Sequence, residues 1–135
     1  MSSAMLGNPA PSRFSGHGKP VYSGESGVEV SCSVRGSKTF TLQGAISQPP
    51  GLSFHVEGSV DASDGRGTGK IRMYTPGIGT HVEQGDCALQ VVDTDKGLQV
   101  ERGAVWASFI CGRLTAPPAL TCNASGEFLF EHCTD

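Results

Sequence analysis

The tripeptide His-Val-Glu occurs twice, as His55-Val56-Glu57 and His81-Val82-Glu83, each time setting an imidazole two residues from a carboxylate. On a β-strand, residues two apart point to the same side, so each pair shares a face opposite its valine. Two such strands lying side by side would gather His55, Glu57, His81 and Glu83 as ligands for a metal ion or as an acid and base pair, the chemistry of a small metal-assisted hydrolase. Strand alternation also generates such pairs with no selection for chemistry, and ordinary solvent-facing polar rows are the reading the pattern favours.

Cysteine is the other chemistry-bearing residue type, at Cys32, Cys87, Cys111, Cys122 and Cys133. This density in a small domain suits disulfides made in an oxidising compartment, and the alternative is a reduced protein with small buried thiols. No Cys-x2-Cys or His-x3-5-His spacing occurs, so the strong zinc signatures are missing. Cys133 alone stands beside a candidate activating base, His132. Cys87 and Cys111 begin and end a strand pair about the Asp93 to Gly97 turn, and Cys122 and Cys133 flank the last turn. Spacing therefore favours Cys87 with Cys111 and Cys122 with Cys133, leaving Cys32 as a buried thiol between Val30 and Val34. A competing scheme ties Cys32 on the first strand to Cys133 on the last.

The remaining local patterns carry little. Asp61-Ala-Ser-Asp64-Gly-Arg-Gly67 places two carboxylates in a loop but lacks the ligand alternation of a calcium loop, and reads as a turn. Gly65-Arg-Gly-Thr-Gly69 precedes no helix and forms no phosphate cradle. No nucleophile-elbow pattern supports a hydrolytic triad. Asn123-Ala-Ser125 matches an N-glycosylation acceptor, relevant only in a eukaryotic secretory host.

The elements that must position these residues are strands. Val28, Val30, Cys32 and Val34 alternate with polar residues, and after the Arg35 to Lys38 turn Phe40, Leu42, Gly44 and Ile46 continue as the second half of a hairpin. The same period recurs at Leu52 to Val60, at Ile71 and Met73, at Cys87, Leu89 and Val91, and at Phe128 and Phe130. Gly103 to Cys111 is apolar on both sides, with Trp106 and Ile110 opposite Val105, Ala107 and Phe109, which predicts a central strand covered on both faces. No window has a capped helical stripe. The expected fold is all-β, an antiparallel β-sandwich or small β-barrel of about seven to eight strands, disulfide-stapled; a single curved sheet against one stray helix is the runner-up.

Residues 1–26 hold Pro9, Pro11 and Pro20 among Gly and Ser, predicting a flexible lead or tether ahead of a β-domain over 27–135. Charged residues are 17% of the chain, below the ~25% usual for soluble domains, and glycine is abundant at 19. A formal charge of -3 gives no electrostatic reason to expect nucleic acid. No apolar run approaches the ~20 residues of a transmembrane helix, and the opening residues lack the features of a signal peptide, so export implies a leader already removed.

Gly103-Ala-Val-Trp-Ala-Ser-Phe-Ile-Cys111, Cys122-Asn-Ala-Ser-Gly126 and Phe128-Leu-Phe-Glu-His-Cys133 resemble the ends of small cysteine-bearing secreted proteins and lipoproteins of bacteria with undefined roles. That resemblance implies an envelope or secreted location and a β-rich fold, and brings no site residues. The sequence thus leads to a non-enzymatic exported module, without cofactor or metal, recognising a protein or glycan through a sheet face or the loops Asp61 to Gly67, Thr75 to Thr80 and Arg113 to Pro118. The alternatives are the metal-assisted hydrolase and a subunit of an extracellular assembly, self-associating through an edge strand.

Overall fold

Period-two alternation becomes period-two burial: Val30, Cys32 and Val34 are buried while Glu29, Ser31 and Arg35 are exposed. The computed structural model describes residues 3–7, 21–22, 29–48, 51–74 and 77–135. In chain order the strands are β1 (Ser3–Gly7), β2 (Val21–Tyr22), β3 (Glu29–Gly36), β4 (Thr39–Gln48), β5 (Leu52–Asp61), β6 (Arg66–Tyr74), β7 (Val82–Val91), β8 (Asp93–Thr94), β9 (Gly97–Leu98), β10 (Val100–Glu101), β11 (Ala104–Ala116) and β12 (Leu120–Glu131). They form an antiparallel sheet in the order β2-β1-β12-β11-β7-β6-β5-β4-β3, with β10 on β11 and a small β8-β9 hairpin beside it. The fold is therefore all-β, and no helix among the described residues is long and apolar enough to cross a membrane.

The sheet curls into a half-barrel around one aromatic core, which is the barrel-like form of the expected architecture. Phe54 on β5 meets Phe109 on β11 at 5.4 Å and Phe128 on β12 at 5.9 Å between ring centroids, although these strands are not neighbours in the sheet. Only curvature can bring them together. Two adjacent bulges help to produce it. The β6–β7 register slips between Gly69 and Ile71, and the β11–β12 register slips between Cys111 and Leu114. Each extra residue bends its strand and resets the alternation, so that Val82, Cys87 and Leu89 are all buried, as are Cys111 and Leu114. The side chain of Gln84 joins the two bulges, its Oε1 accepting from the Arg113 backbone N at 2.6 Å.

The open seam lies between β3 and the residues after β12. His132 turns the chain with a left-handed φ of 57°, and the tail then runs parallel to β3. Val34 N donates to Thr134 O at 3.0 Å, and Thr134 N donates to Cys32 O at 3.1 Å. Gly103, in the turn before β11, donates to Val34 O and accepts from Cys133 N. A disulfide between Cys32 and Cys133 fastens this seam, with Cα atoms 4.9 Å apart, and a second joins Cys87 to Cys111 on neighbouring strands.

Several expectations are corrected. Cys133 pairs with Cys32, not with Cys122, which stays a free and half-buried thiol facing Leu114 across the β11–β12 ladder. The reason is the tail: after the turn at His132, Cys133 leaves the line of β12 and lies along β3. Arg113 to Ala116 belong to β11 and are not a loop. β11 lies between β7 and β12, and its outer face is covered only in part: Trp106 is half-buried there while Ile110 is 62% exposed. Leu98 of β9 and Val100 of β10 line a cleft with Trp106 and with Leu129, which is 4% exposed, whereas Ile110 is outside that cleft. Of the lead expected over 1–26, the described parts Ser3–Gly7 and Val21–Tyr22 are strands, β1 pairing with the edge that β12 would otherwise leave open. The rest of that lead lies outside the described residues, as do Val28, Thr75 and Pro76.

Candidate binding groove

His55 and Glu57 stand on the outer face of β5, and Glu83 on the outer face of β7, with β6 lying between them. The outer face of β6 carries Lys70 and Arg72, both exposed because Ile71 between them turns into the core. In register, His55 is opposite Arg72, which is opposite Glu83; Glu57 is opposite Lys70. The two His-Val-Glu segments are thus held apart by a row of cations. Lys70 Nζ pairs with Glu83 Oε2 at 3.3 Å, and both groups are more than half exposed, so the pair contributes little to stability. His81 precedes β7 and packs against the Tyr74 ring, with centroids 5.2 Å apart. His55, Glu57 and Glu83 lie on outward faces, and the convergence of His55, Glu57, His81 and Glu83 that the hydrolase alternative requires does not occur; among the described residues no three His, Cys, Asp or Glu gather where a metal could be held.

The strands that separate those residues build something else. The outer faces of β3 to β6, with Thr134 of the tail, enclose a groove of about 650 Å3. That size falls in the range of small-ligand sites. Arg35, Lys70 and Arg72 supply three cationic groups, and Glu57 is the carboxylate on the lining. Ser31, Ser33 and Gln43 add neutral hydrogen-bonding groups. Arg35 is oriented by its neighbour, Nε donating to Ser33 Oγ at 3.0 Å. That bond uses only Nε of an exposed side chain, and the two terminal nitrogens of a guanidinium can serve a bidentate acceptor. Alternation alone puts Lys70 and Arg72 side by side on one face, and that signal was available in the sequence.

The loop Asp61 to Gly67 is a self-capped turn. Asp61 Oδ1 accepts from Ser63 N at 2.8 Å and Ser63 Oγ at 2.6 Å, and Asp64 Oδ1 accepts from Arg66 N at 3.0 Å. The Ser63 hydroxyl and amide hold the Asp61 carboxyl below its ordinary value. Both carboxylates are engaged in the turn itself, as expected of Asp at such positions. Trp106 is half-buried on the outer face of β11, where its indole Nε1 donates to Glu127 Oε1 at 2.8 Å across the ladder.

A scan of protein-family models gives no match to this chain, and no curated protein or solved structure matches it at a significant level. The class in which it stands is set by its own geometry, a disulfide-fastened antiparallel half-barrel with a groove on its outer face that carries Arg35, Lys70 and Arg72.

Proposed function

We propose that this protein is a non-enzymatic binding module that works in an oxidising compartment at or outside the cell surface, recognising a protein or glycan through the outer face of β3 to β6. The observation that carries the reading is the groove itself. Three cations and several hydroxyl and amide groups lie on a rigid sheet, pinned at its edge by the Cys32–Cys133 bridge and the tail. Such a surface offers fixed donors without needing a loop to order. Two disulfides favour the oxidising compartment, where they form and persist. The spread of His55, Glu57, His81 and Glu83 over strands divided by β6 favours binding over the hydrolase alternative.

The test is a binding screen of the purified oxidised protein against arrayed glycans and surface polymers, with the Lys70→Gln/Arg72→Gln variant alongside. Binding that the substitutions weaken supports the module. Binding that they leave untouched, or zinc-dependent hydrolysis lost on His55→Ala, would replace it with another reading. For location, fractionation of the source cells with non-reducing peptide mapping is expected to find the oxidised protein outside the cytoplasm. A fully reduced cytoplasmic protein would remove the export half of the proposal.

A further inference from the structure

The groove also points to a chemical class of ligand, and this inference rests on the binding-module reading. We propose that it takes an acidic polysaccharide, a glycan chain bearing carboxylate or sulfate groups.

Charge is the first ground. The whole chain is acidic, with 13 Asp and Glu against 10 Lys and Arg. The groove reverses this balance, holding Arg35, Lys70 and Arg72 against Glu57. Such a patch on an acidic protein attracts anions locally while the rest of the surface repels them. The arrangement of donors is the second. Among the described residues the one ion pair at the groove is that of Lys70 with Glu83, on its rim, so the exposed Arg72 forms none although Glu83 is its register partner. Arg35 is pre-oriented by Ser33. Guanidinium forks match carboxylate and sulfate oxygens in a way that an ammonium group does not.

Separation argues for a polymer. Arg35 lies on β3 and Arg72 on β6, three strands away at about 4.8 Å each, and Arg35 is level with Thr68, four residues from Arg72 at about 3.3 Å each, so their backbones are roughly 19 Å apart along the sheet. A single small anion cannot touch both. The lining argues for sugar over peptide, because beyond the His55 imidazole its described residues hold no aromatic ring, and its apolar residues are the small Val30, Ala45 and Val56, so it lacks the large hydrophobic side chains on which tight protein partners depend. Hydroxyl and amide groups such as Ser31 and Gln43 fit the many hydroxyls of a glycan instead.

The experiment measures binding of the oxidised protein to dextran sulfate, polygalacturonate, neutral dextran and poly-glutamate, at low and at physiological salt. Variants Arg35→Gln, Arg72→Gln and their double form are compared with Arg102→Gln, an exposed arginine outside the groove. The expected result is binding to one or both acidic glycans that weakens as salt screens it, about tenfold or more loss in the double variant, and none in Arg102→Gln. The sulfate and carboxylate arms tell the two anion sources apart. Equal or tighter binding to poly-glutamate would overturn the glycan assignment in favour of an acidic peptide. Binding to neutral dextran alone, or equal loss in Arg102→Gln, would overturn the anionic ligand while leaving the binding module standing. No binding to any of the four polymers overturns this inference, and the wider screen then decides the module reading separately. All these substitutions lie at exposed positions, and matched thermal unfolding confirms that loss of binding is not loss of fold.

Discussion

The ring of Phe130 on β12 rests on the Cα of Gly44 on β4, so closely that a methyl group at position 44 would lie 2.5 Å from its ring carbons. β12 is third from one end of the sheet and β4 second from the other, so this contact reaches across the interior of the half-barrel. Glycine is needed here for space, since its burial on the inner face leaves no room for even one carbon. Gly44→Ala is expected to destabilise by about 1–3 kcal/mol through overpacking. Phe130→Leu in the same chain should recover part of that loss, because the ring is what the new methyl strikes. Denaturant unfolding of the single and double variants measures it, and additive losses would break the link between the two residues.

The seam disulfide closes the longer loop. Cys32 and Cys133 are 101 residues apart and Cys87 and Cys111 are 24 apart, so chain entropy alone assigns about 4.7 and about 3.4 kcal/mol respectively. Cys32→Ser/Cys133→Ser is therefore expected to lower stability more than Cys87→Ser/Cys111→Ser. It should also speed hydrogen exchange at the Val34 and Thr134 amides, which carry the seam's backbone bonds. Unchanged exchange at those two amides would show that the tail holds without its covalent link.

Gln84 joins the bulges of β7 and β11 through the Arg113 amide. Gln84→Ala removes the acceptor from a partly exposed site, where water replaces it in part. A loss of about 0.5–1.5 kcal/mol follows, with faster exchange at the Arg113 amide. Gln84 Nε2 also donates to Asp86 Oδ1 at 3.0 Å. Gln84→Glu keeps the acceptor for Arg113 but loses that donor and sets two carboxylates together, so it should restore protection of the Arg113 amide only in part, and Gln84→Glu/Asp86→Asn more fully, which NMR exchange measurements check.

The turn after β5 carries a pH signature. The Ser63 hydroxyl and amide lower the Asp61 carboxyl in the folded chain, so its contribution is present above the unfolded carboxylate value and fades as pH falls through the lower folded one. The group is fully exposed, and the effect on overall stability is small. An NMR titration is expected to place the Asp61 midpoint below that of Asp61 in Ser63→Gly, and coincident midpoints would remove the cause assigned here.

Zinc supplies a check on the separated His-Val-Glu pairs. Because Lys70 and Arg72 lie between β5 and β7, His55 and His81 have no shared ion to bind. Ring signals of the two histidines are expected to respond to added zinc independently and only at high concentration; a joint, saturating shift would show that they meet.

The strand faces were legible in the chain because side-chain direction along a strand is local. Val30, Cys32 and Val34, or Phe128 and Phe130, follow from alternation with no knowledge of their neighbours. The groove was half legible in the same way, since Lys70, Arg72, His55 and Glu57 each fall on an outward position. What alternation cannot convey is which strand lies beside which. The hydrolase alternative needed β5 against β7, and the sheet interposed β6.

The amino-acid sequence by itself thus determined an all-β chain, the inward and outward sides of its main strands, and a supply of cysteines suited to cross-links. Only the tertiary structure decided that the sheet curls into a half-barrel, that Cys133 crosses to Cys32 and leaves Cys122 free, and that Arg35 joins Lys70 and Arg72 along one groove. The division has a physical cause. Pleat and polarity are fixed between residues two apart, whereas curvature, bulges and the path of the tail depend on contacts between residues such as Gly44 and Phe130, far apart in the chain and joined only when the sheet closes.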